Sequence, residues 1–224
     1  MVLIVVGTAV PANAVVYQDG DRFLGYRSET YAPISTWDVP AKHIPIVVEA
    51  EDGSRIELAY CFSLELGWPP VGKENAAWYT LDHQAVLSDY AVYNVPETVM
   101  ERIIYNGYPR NNGALQGQLT DVQMHMITQL AIWRFTDNMS NFVAVRELEN
   151  FGRFTSDEML RYGFDVYLRL TGQDDRVRSD VPALVDVPAD AYLYIYFKWN
   201  LLPGPRYVKA RRSRVSSGKR AVGL

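Results

Sequence analysis

The chain has 224 residues, 48% hydrophobic and 21% charged, a globular balance for which a packed core is expected. Between Arg206 and Leu224 lie seven basic residues and no acidic one; taking those seven from the net charge of −4 leaves the body at −11, which excludes the basic footprint of a nucleic-acid binder. The single cysteine excludes an intrachain disulfide and a cysteine-rich zinc site, and no apolar run approaches the ~20 residues of a membrane-spanning helix.

Residues 2–10 are a short apolar run, followed by Pro11-Ala12-Asn13-Ala14, whose last three residues fit a small-x-small cleavage pattern. Residues 1–14 therefore read as the end of a secretory signal peptide without its basic region, with an ordinary first β-strand as the alternative. Residues 15–63 read as strands. Val15-Val16-Tyr17 and Phe23-Leu24-Gly25-Tyr26 flank the turn former Asp19-Gly20-Asp21. Residues 44–48 and 55–62 flank Glu51-Asp52-Gly53, a second hairpin signal. In the later strand Ile56, Leu58, Tyr60 and Phe62 alternate onto one face, the expected sheet core. Glu57, Ala59, Cys61 and Ser63 take the other, smaller and more polar face, against which another element can pack closely.

Residues 64–94 are mixed, with a loop at Trp68-Pro69-Pro70 and Gly72. From about 96 to 172 the pattern is helical. Pro96 suits a first helical turn, with Val99, Ile103 and Ile104 on one face, and Tyr105-Asn106-Gly107-Tyr108-Pro109 stops that helix. Thr120-Asp121-Val122-Gln123 fits a capping box opening a helix to about Phe135, and Thr155-Ser156-Asp157-Glu158 opens another that ends near Gly172. After a polar loop, residues 191–199 form an aromatic strand, and Leu202-Pro203-Gly204-Pro205 ends the fold. The predicted class is α+β: a β-sandwich or barrel-like domain over residues 15–204 with an inserted all-helical subdomain at about 96–172, then a basic disordered tail over 205–224.

The second helix contains an anomaly. Val122, Met126, Leu130 and Trp133 make an apolar stripe, and Gln129 lies on its border. A buried carboxamide must find partners or cost roughly 1–3 kcal/mol. Periodicity alone is satisfied by a Gln that hydrogen-bonds to backbone and fixes how the helix docks. His125 sits one turn before it, and His43 and His83 have no motif around them.

Thr128-Gln129-Leu130-Ala131-Ile132-Trp133 matches the Thr-Gln-x-Ala-Ile/Val-Trp motif of the thioester domains of Gram-positive surface adhesins. Tyr60-Cys61-Phe62 resembles their aromatic–Cys–apolar strand segment. The Tyr105–Pro109 segment resembles a third motif between the two, and Thr136-Asp137 follows the same pattern after the Trp. The similarity covers roughly residues 15–200. It implies that the Cys61 thiolate attacks the Gln129 amide, ammonia leaves, and a thioester joins the two side chains. A primary amine, from a protein lysine or a polyamine, would then be captured once, without turnover. The resemblance further implies a pocket lined by Tyr60, Tyr105, Asn106, Gly107, Tyr108, Thr128 and Trp133; His125, one helical turn before Gln129, is the candidate base. It implies a secreted or cell-surface monomer without cofactor or metal, whose basic tail touches an anionic surface at most. The Pro-Gly-Pro end does not resemble a sortase motif. The crosslink would close a loop that, by analogy with a disulfide, stabilises the fold by about 4 kcal/mol.

Two other readings use the same residues. A cysteine acyltransferase or hydrolase would take Cys61 as nucleophile and His83 or His125 as base, but a mid-strand cysteine lacks the helix N-terminus that favours a thiolate, and Gln129 goes unused. A non-covalent binding module would keep the pair only as a structural crosslink.

Overall fold

A computed structural model describes residues 2–7, 20–28, 43–54, 56–62, 64, 68–81, 95–188 and 192–198. Val15–Tyr17, Ser63, His83 and the tail over 205–224 lie outside the described residues, as does the proposed cleavage pattern at Ala12–Ala14. Six strands form a closed antiparallel barrel: β1 (Val2–Gly7), β2 (Arg22–Arg27), β3 (Ile46–Ala50), β4 (Ile56–Cys61), β5 (Ala77–Leu81) and β6 (Tyr192–Lys198), in the order β1-β4-β3-β2-β5-β6. Among the described residues four α-helices are inserted between β5 and β6: α1 (Glu97–Asn106), α2 (Asp121–Thr136), α3 (Asn141–Phe151) and α4 (Asp157–Leu170). The architecture is α+β, a barrel carrying a helical insertion.

The N-terminal run, for which the sequence leaves a signal segment and an ordinary first strand open, is placed as a strand: Val2–Gly7 closes the barrel. It pairs with β6 along its length and places Leu3 opposite Cys61 on β4. Closure gives the backbone of β4 and β6 neighbours that would otherwise be open edges. The barrel thus begins at residue 2 and not at 15.

The hairpin expected at Glu51–Gly53 joins β3 to β4. Gly53 takes φ 70°, a conformation that favours glycine, its N–H donates to the Ala50 carbonyl at 2.8 Å, and Ser54 N–H donates to Asp52 Oδ1 at 2.8 Å. That turn sets Glu49 opposite Ile56 and Ile46 opposite Ala59. Directly opposed residues share a face, so Ala59 and Cys61 lie with Ile46, Val48, Phe23 and Tyr79. This is the barrel interior. Tyr60, one residue off, points outward, because its hydroxyl donates to the Tyr108 carbonyl after α1. The small face of β4 is therefore the inside of the barrel and the aromatic face meets the helices, the reverse of the expectation that the small face would receive another element. In a six-stranded barrel the interior is narrow, and the small side chains of Ala59 and Cys61 leave room there for the larger ones of Phe23, Ile46 and Tyr79.

The helix α2 is the centre of the insertion. Every residue from Gln123 to Trp133 is buried, so a one-sided stripe understates its environment: it meets the end of β4 at Cys61 and has α1, α3 and α4 around it. Its start is the expected capping box, with Thr120 Oγ1 accepting from Gln123 N–H at 3.3 Å and Gln123 Oε1 accepting from Thr120 N–H at 2.9 Å. The other expected capping box does not form: Ser156, not Thr155, is the N-cap of α4, accepting from Met159 N–H, and a methionine at that position cannot return the reciprocal bond. The helix α3 was not foreseen. It buries only Ala144 and Leu148 and leaves Phe142 and Val143 exposed, so it lacks a clear apolar stripe.

Candidate functional site

The last residue of β4 and the middle of α2 meet at one point. Cys61 is fully buried and Gln129 is 2% exposed. The Gln129 carboxamide pairs with the Cys61 backbone as a neighbouring strand residue would: Cys61 N–H donates to Gln129 Oε1 at 3.0 Å, and Gln129 Nε2 donates to the Cys61 carbonyl at 2.8 Å. Four residues along α2, one helical turn, Trp133 Nε1–H donates to the same carbonyl at 3.2 Å. Both ends of the carboxamide are thus engaged by the residue that carries the thiol. The segment after Cys61 is fastened to the end of α2, where Asp137 Oδ1 accepts from Leu64 N–H at 3.0 Å and Asp137 Oδ2 from the Thr136 hydroxyl at 2.7 Å.

The turn after α1 packs under this junction. Thr128 Oγ1 accepts from Tyr108 N–H at 3.0 Å and donates to the Met124 carbonyl at 2.8 Å. Gly107 has an ordinary negative φ, so no turn conformation demands glycine there. Sterics do: a Cβ would lie 2.5 Å from Thr128 Cγ2 and 2.7 Å from the Ile103 carbonyl oxygen. Tyr60, Tyr108, Thr128 and Gly107 thus form one hydrogen-bonded and packed unit behind Cys61 and Gln129.

Two members of the expected pocket are engaged elsewhere. Asn106 is buried and fastens a distant segment, accepting from Val185 N–H at 2.8 Å and donating to the Val185 and Arg102 carbonyls at 3.0 Å each. The Tyr105 carbonyl accepts from Asn112 Nδ2 at 2.8 Å. Among the described contacts neither residue reaches Cys61 or Gln129.

His125 stacks on Tyr60 with ring centroids 5.2 Å apart and meets Tyr108 edge-on at 6.3 Å. Burial, and secondarily the charge of His43, push its pKa down to about 3. The imidazole is therefore neutral at pH 7 but a poor proton acceptor, and its geometry is that of a spacer between two tyrosines. His43, to which the sequence assigned no role, is buried beside the site. Its Nε2 lies 3.0 Å from Glu147 Oε2 on α3, and its ring is 6.0 Å from Trp133 and from Phe151. Its only sequence signal was being a histidine next to a strand, which is no signal for a site. Trp68, half-buried, packs its ring edge-on against Trp133 at 5.7 Å.

The family model described as "TED: Thioester domain" matches residues 58–173, just over half of the chain and including both Cys61 and Gln129. The chain belongs to the thioester-domain family. Its fold is that of solved adhesin domains. The N-terminal domain of the Streptococcus pyogenes pilus tip adhesin Cpa aligns with TM-score 0.59 and 21% identity, over 85% of this chain and 98% of that one. The N-terminal thioester domain of the fibronectin-binding protein SfbI from Streptococcus pyogenes gives 0.56 and 20%, over 84% and 97%. The N-terminal thioester domain of a surface protein from Clostridium perfringens gives 0.50 and 18%, over 78% and 97%. No curated protein matches the chain. The matched span of this thioester domain runs from the middle of β4 to just past α4; β1, β2, β3 and β6 lie outside it, yet they complete the barrel that holds Cys61 in place.

Proposed function

We propose that Cys61 and Gln129 form an internal thioester and that this thioester domain uses it to capture a primary amine covalently, outside the cell. The observation that carries the reading is the pairing of the Gln129 carboxamide with both backbone groups of Cys61, at the chain's single cysteine. A buried Gln held only for packing has many backbone partners to choose from; this one is held by the residue whose sulfur can attack it.

In the first step the Cys61 sulfur adds to Gln129 Cδ, the Cδ–Nε2 bond breaks, and Nε2 leaves as ammonia carrying the thiol proton. In the second, an amine nitrogen adds to the same carbon and the C–S bond breaks. The amine proton is given up, the sulfur returns to a thiol, and a stable amide remains on Gln129. A thioester is the better acyl donor because sulfur donates poorly into the carbonyl and leaves readily. Turnover would need an amide as leaving group, so the reaction stops after one capture. With a pKa near 10.4, only about one lysine in a few thousand is neutral at pH 7, so useful rates need an amine held in place by binding. A protein lysine or a polyamine meets the chemistry. Burial of the junction keeps water from the acyl carbon, which favours survival of the crosslink until an amine is positioned. His125, with its depressed pKa, is poorly suited to deprotonate that amine.

The test is to incubate the protein with methylamine, digest it and map the modification. The reading requires methylamide on Gln129 and a free Cys61 thiol. Label on any other residue, or none, rules the reading out.

A further inference from the structure

Among the described inward-facing residues of the barrel, two fully buried side chains are titratable, Cys61 and Tyr79, and they are set among Phe23, Ile46, Val48 and Leu81. β4 and β5 stand on opposite sides of the ring, with two strands between them in either direction, so inward side chains from the two point toward each other. The register puts them at neighbouring levels: Cys61 pairs with Leu3, Leu3 with Tyr196, and Tyr196 with Leu81, two residues along β5 from Tyr79. Gly25 on β2 leaves the space that the Tyr79 ring occupies, since a Cβ there would run into the ring. The ring is thus seated deep in the interior, and its hydroxyl is buried with no hydrogen-bond partner among the described residues. An unpaired buried hydroxyl is destabilising and calls for a compensating use. Burial first, and the negative charge of a Cys61 thiolate second, push the phenol pKa up, so the hydroxyl keeps its proton at physiological pH.

We propose that Tyr79 is the hydrogen-bond donor to the Cys61 sulfur during acyl transfer, holding the thiolate that an incoming amine displaces into the barrel. The inference rests on the thioester reading above. When the amine adds to Gln129 Cδ, the C–S bond breaks and its electron pair stays on sulfur, which faces an apolar lining. A thiolate there is strongly disfavoured by desolvation. The Tyr79 O–H shares its proton with that sulfur without losing it, and the proton released by the amine finally restores the thiol. Tyr79 is neither consumed nor charged.

The experiment compares the full chain with Tyr79→Phe. Phe fills the same space beside Gly25 and removes only the oxygen. The variant is expected to capture methylamine about ten- to a hundredfold more slowly, the loss of one hydrogen bond to an ionised acceptor. Its thermal midpoint should be unchanged or raised, because the deleted hydroxyl had no partner. In the amine-captured form, the ultraviolet absorbance of the Cys61 thiolate should develop at higher pH in the variant than in the wild type, a shift that a purely structural tyrosine would not produce. Capture at the wild-type rate, or an unchanged Cys61 titration, overturns the role of Tyr79 while leaving the crosslink standing. A wild-type protein that does not react with methylamine at all overturns the crosslink, and the role of Tyr79 with it.

Discussion

Trp133→Phe separates the crosslinked protein from the uncrosslinked one through a single carbonyl. In the uncrosslinked chain the Cys61 carbonyl oxygen accepts from Gln129 Nε2 at 2.8 Å and from Trp133 Nε1 at 3.2 Å. Thioester formation expels Nε2 as ammonia, so the Trp133 indole becomes the side-chain donor that stays on that oxygen. Phe retains most of the ring's packing and removes the donor. Where the carboxamide remains, as in a Cys61→Ala background, the deletion should cost the net value of a shared hydrogen bond, about 0.5–1.5 kcal/mol beyond the small loss of packing. In the crosslinked protein it strips a buried carbonyl of its remaining side-chain donor, and the cost should rise to about 1–3 kcal/mol. The difference, about 1 kcal/mol, corresponds to a further fall of roughly 2–4 °C in thermal midpoint for a domain of this size. The assay is a double-mutant cycle by thermal melting with wild type, Trp133→Phe, Cys61→Ala and the double variant. Equal penalties in the two backgrounds would refute the reasoning, because they would mean that Nε2 never leaves.

Gly107→Ala should destabilise the domain by about 1–3 kcal/mol, since its Cβ meets Thr128 and the Ile103 backbone at once; a thermal midpoint within a degree of wild type would contradict that contact. Deleting residues 1–14 should remove the closing strand, leave β4 and β6 as open edges and abolish cooperative unfolding, as followed by circular dichroism. A shortened protein that melts as sharply as the full chain would favour the signal-peptide reading instead. His125 has a folded pKa near 3, below its unfolded value near 6.5, so the unfolded chain binds the extra proton. Its contribution to stability is complete above about pH 6.5 and is lost as pH falls toward 3, by about 2 kcal/mol between pH 7 and pH 5. His125→Phe should flatten that part of the pH dependence of denaturant unfolding, and an identical slope in the variant would rule the burial argument out.

What the sequence disclosed followed from strong local signals. The Thr120–Gln123 box placed the start of α2 to the residue, because two reciprocal hydrogen bonds require those residue types at that spacing. The hairpin at Gly53 was legible because φ 70° favours glycine. Cys61 and Gln129 were legible as a pair only through resemblance to a family; nothing in periodicity joins a strand residue to a helix residue 68 positions away. The misreadings share a cause, which is that tertiary context outweighed pattern. At Val2–Gly7 pattern could not choose, because a barrel strand with two neighbours is as apolar as a signal segment. The faces of β4 were inverted because alternation separates two faces without saying which one is inside; here the small face of β4 meets large interior residues from β2, β3 and β5. The strand β5 and the helix α3 were passed over, the first for its short length and the second because two buried residues make no stripe. Asn106 was grouped with the site because it adjoins Gly107 in sequence, whereas its side chain turns away to hold Val185. Tyr79 carries no sequence signal at all, and only barrel closure places it across from the cysteine.

Mass spectrometry of the freshly purified, intact chain beside its Cys61→Ala variant bears most directly on all of this. The wild type should weigh one ammonia less than its sequence requires, and the variant should show its full sequence mass. A wild-type protein at full mass, with Cys61 open to alkylation after mild unfolding, would mean that the Gln129 carboxamide pairs with the Cys61 backbone without ever bonding to its sulfur.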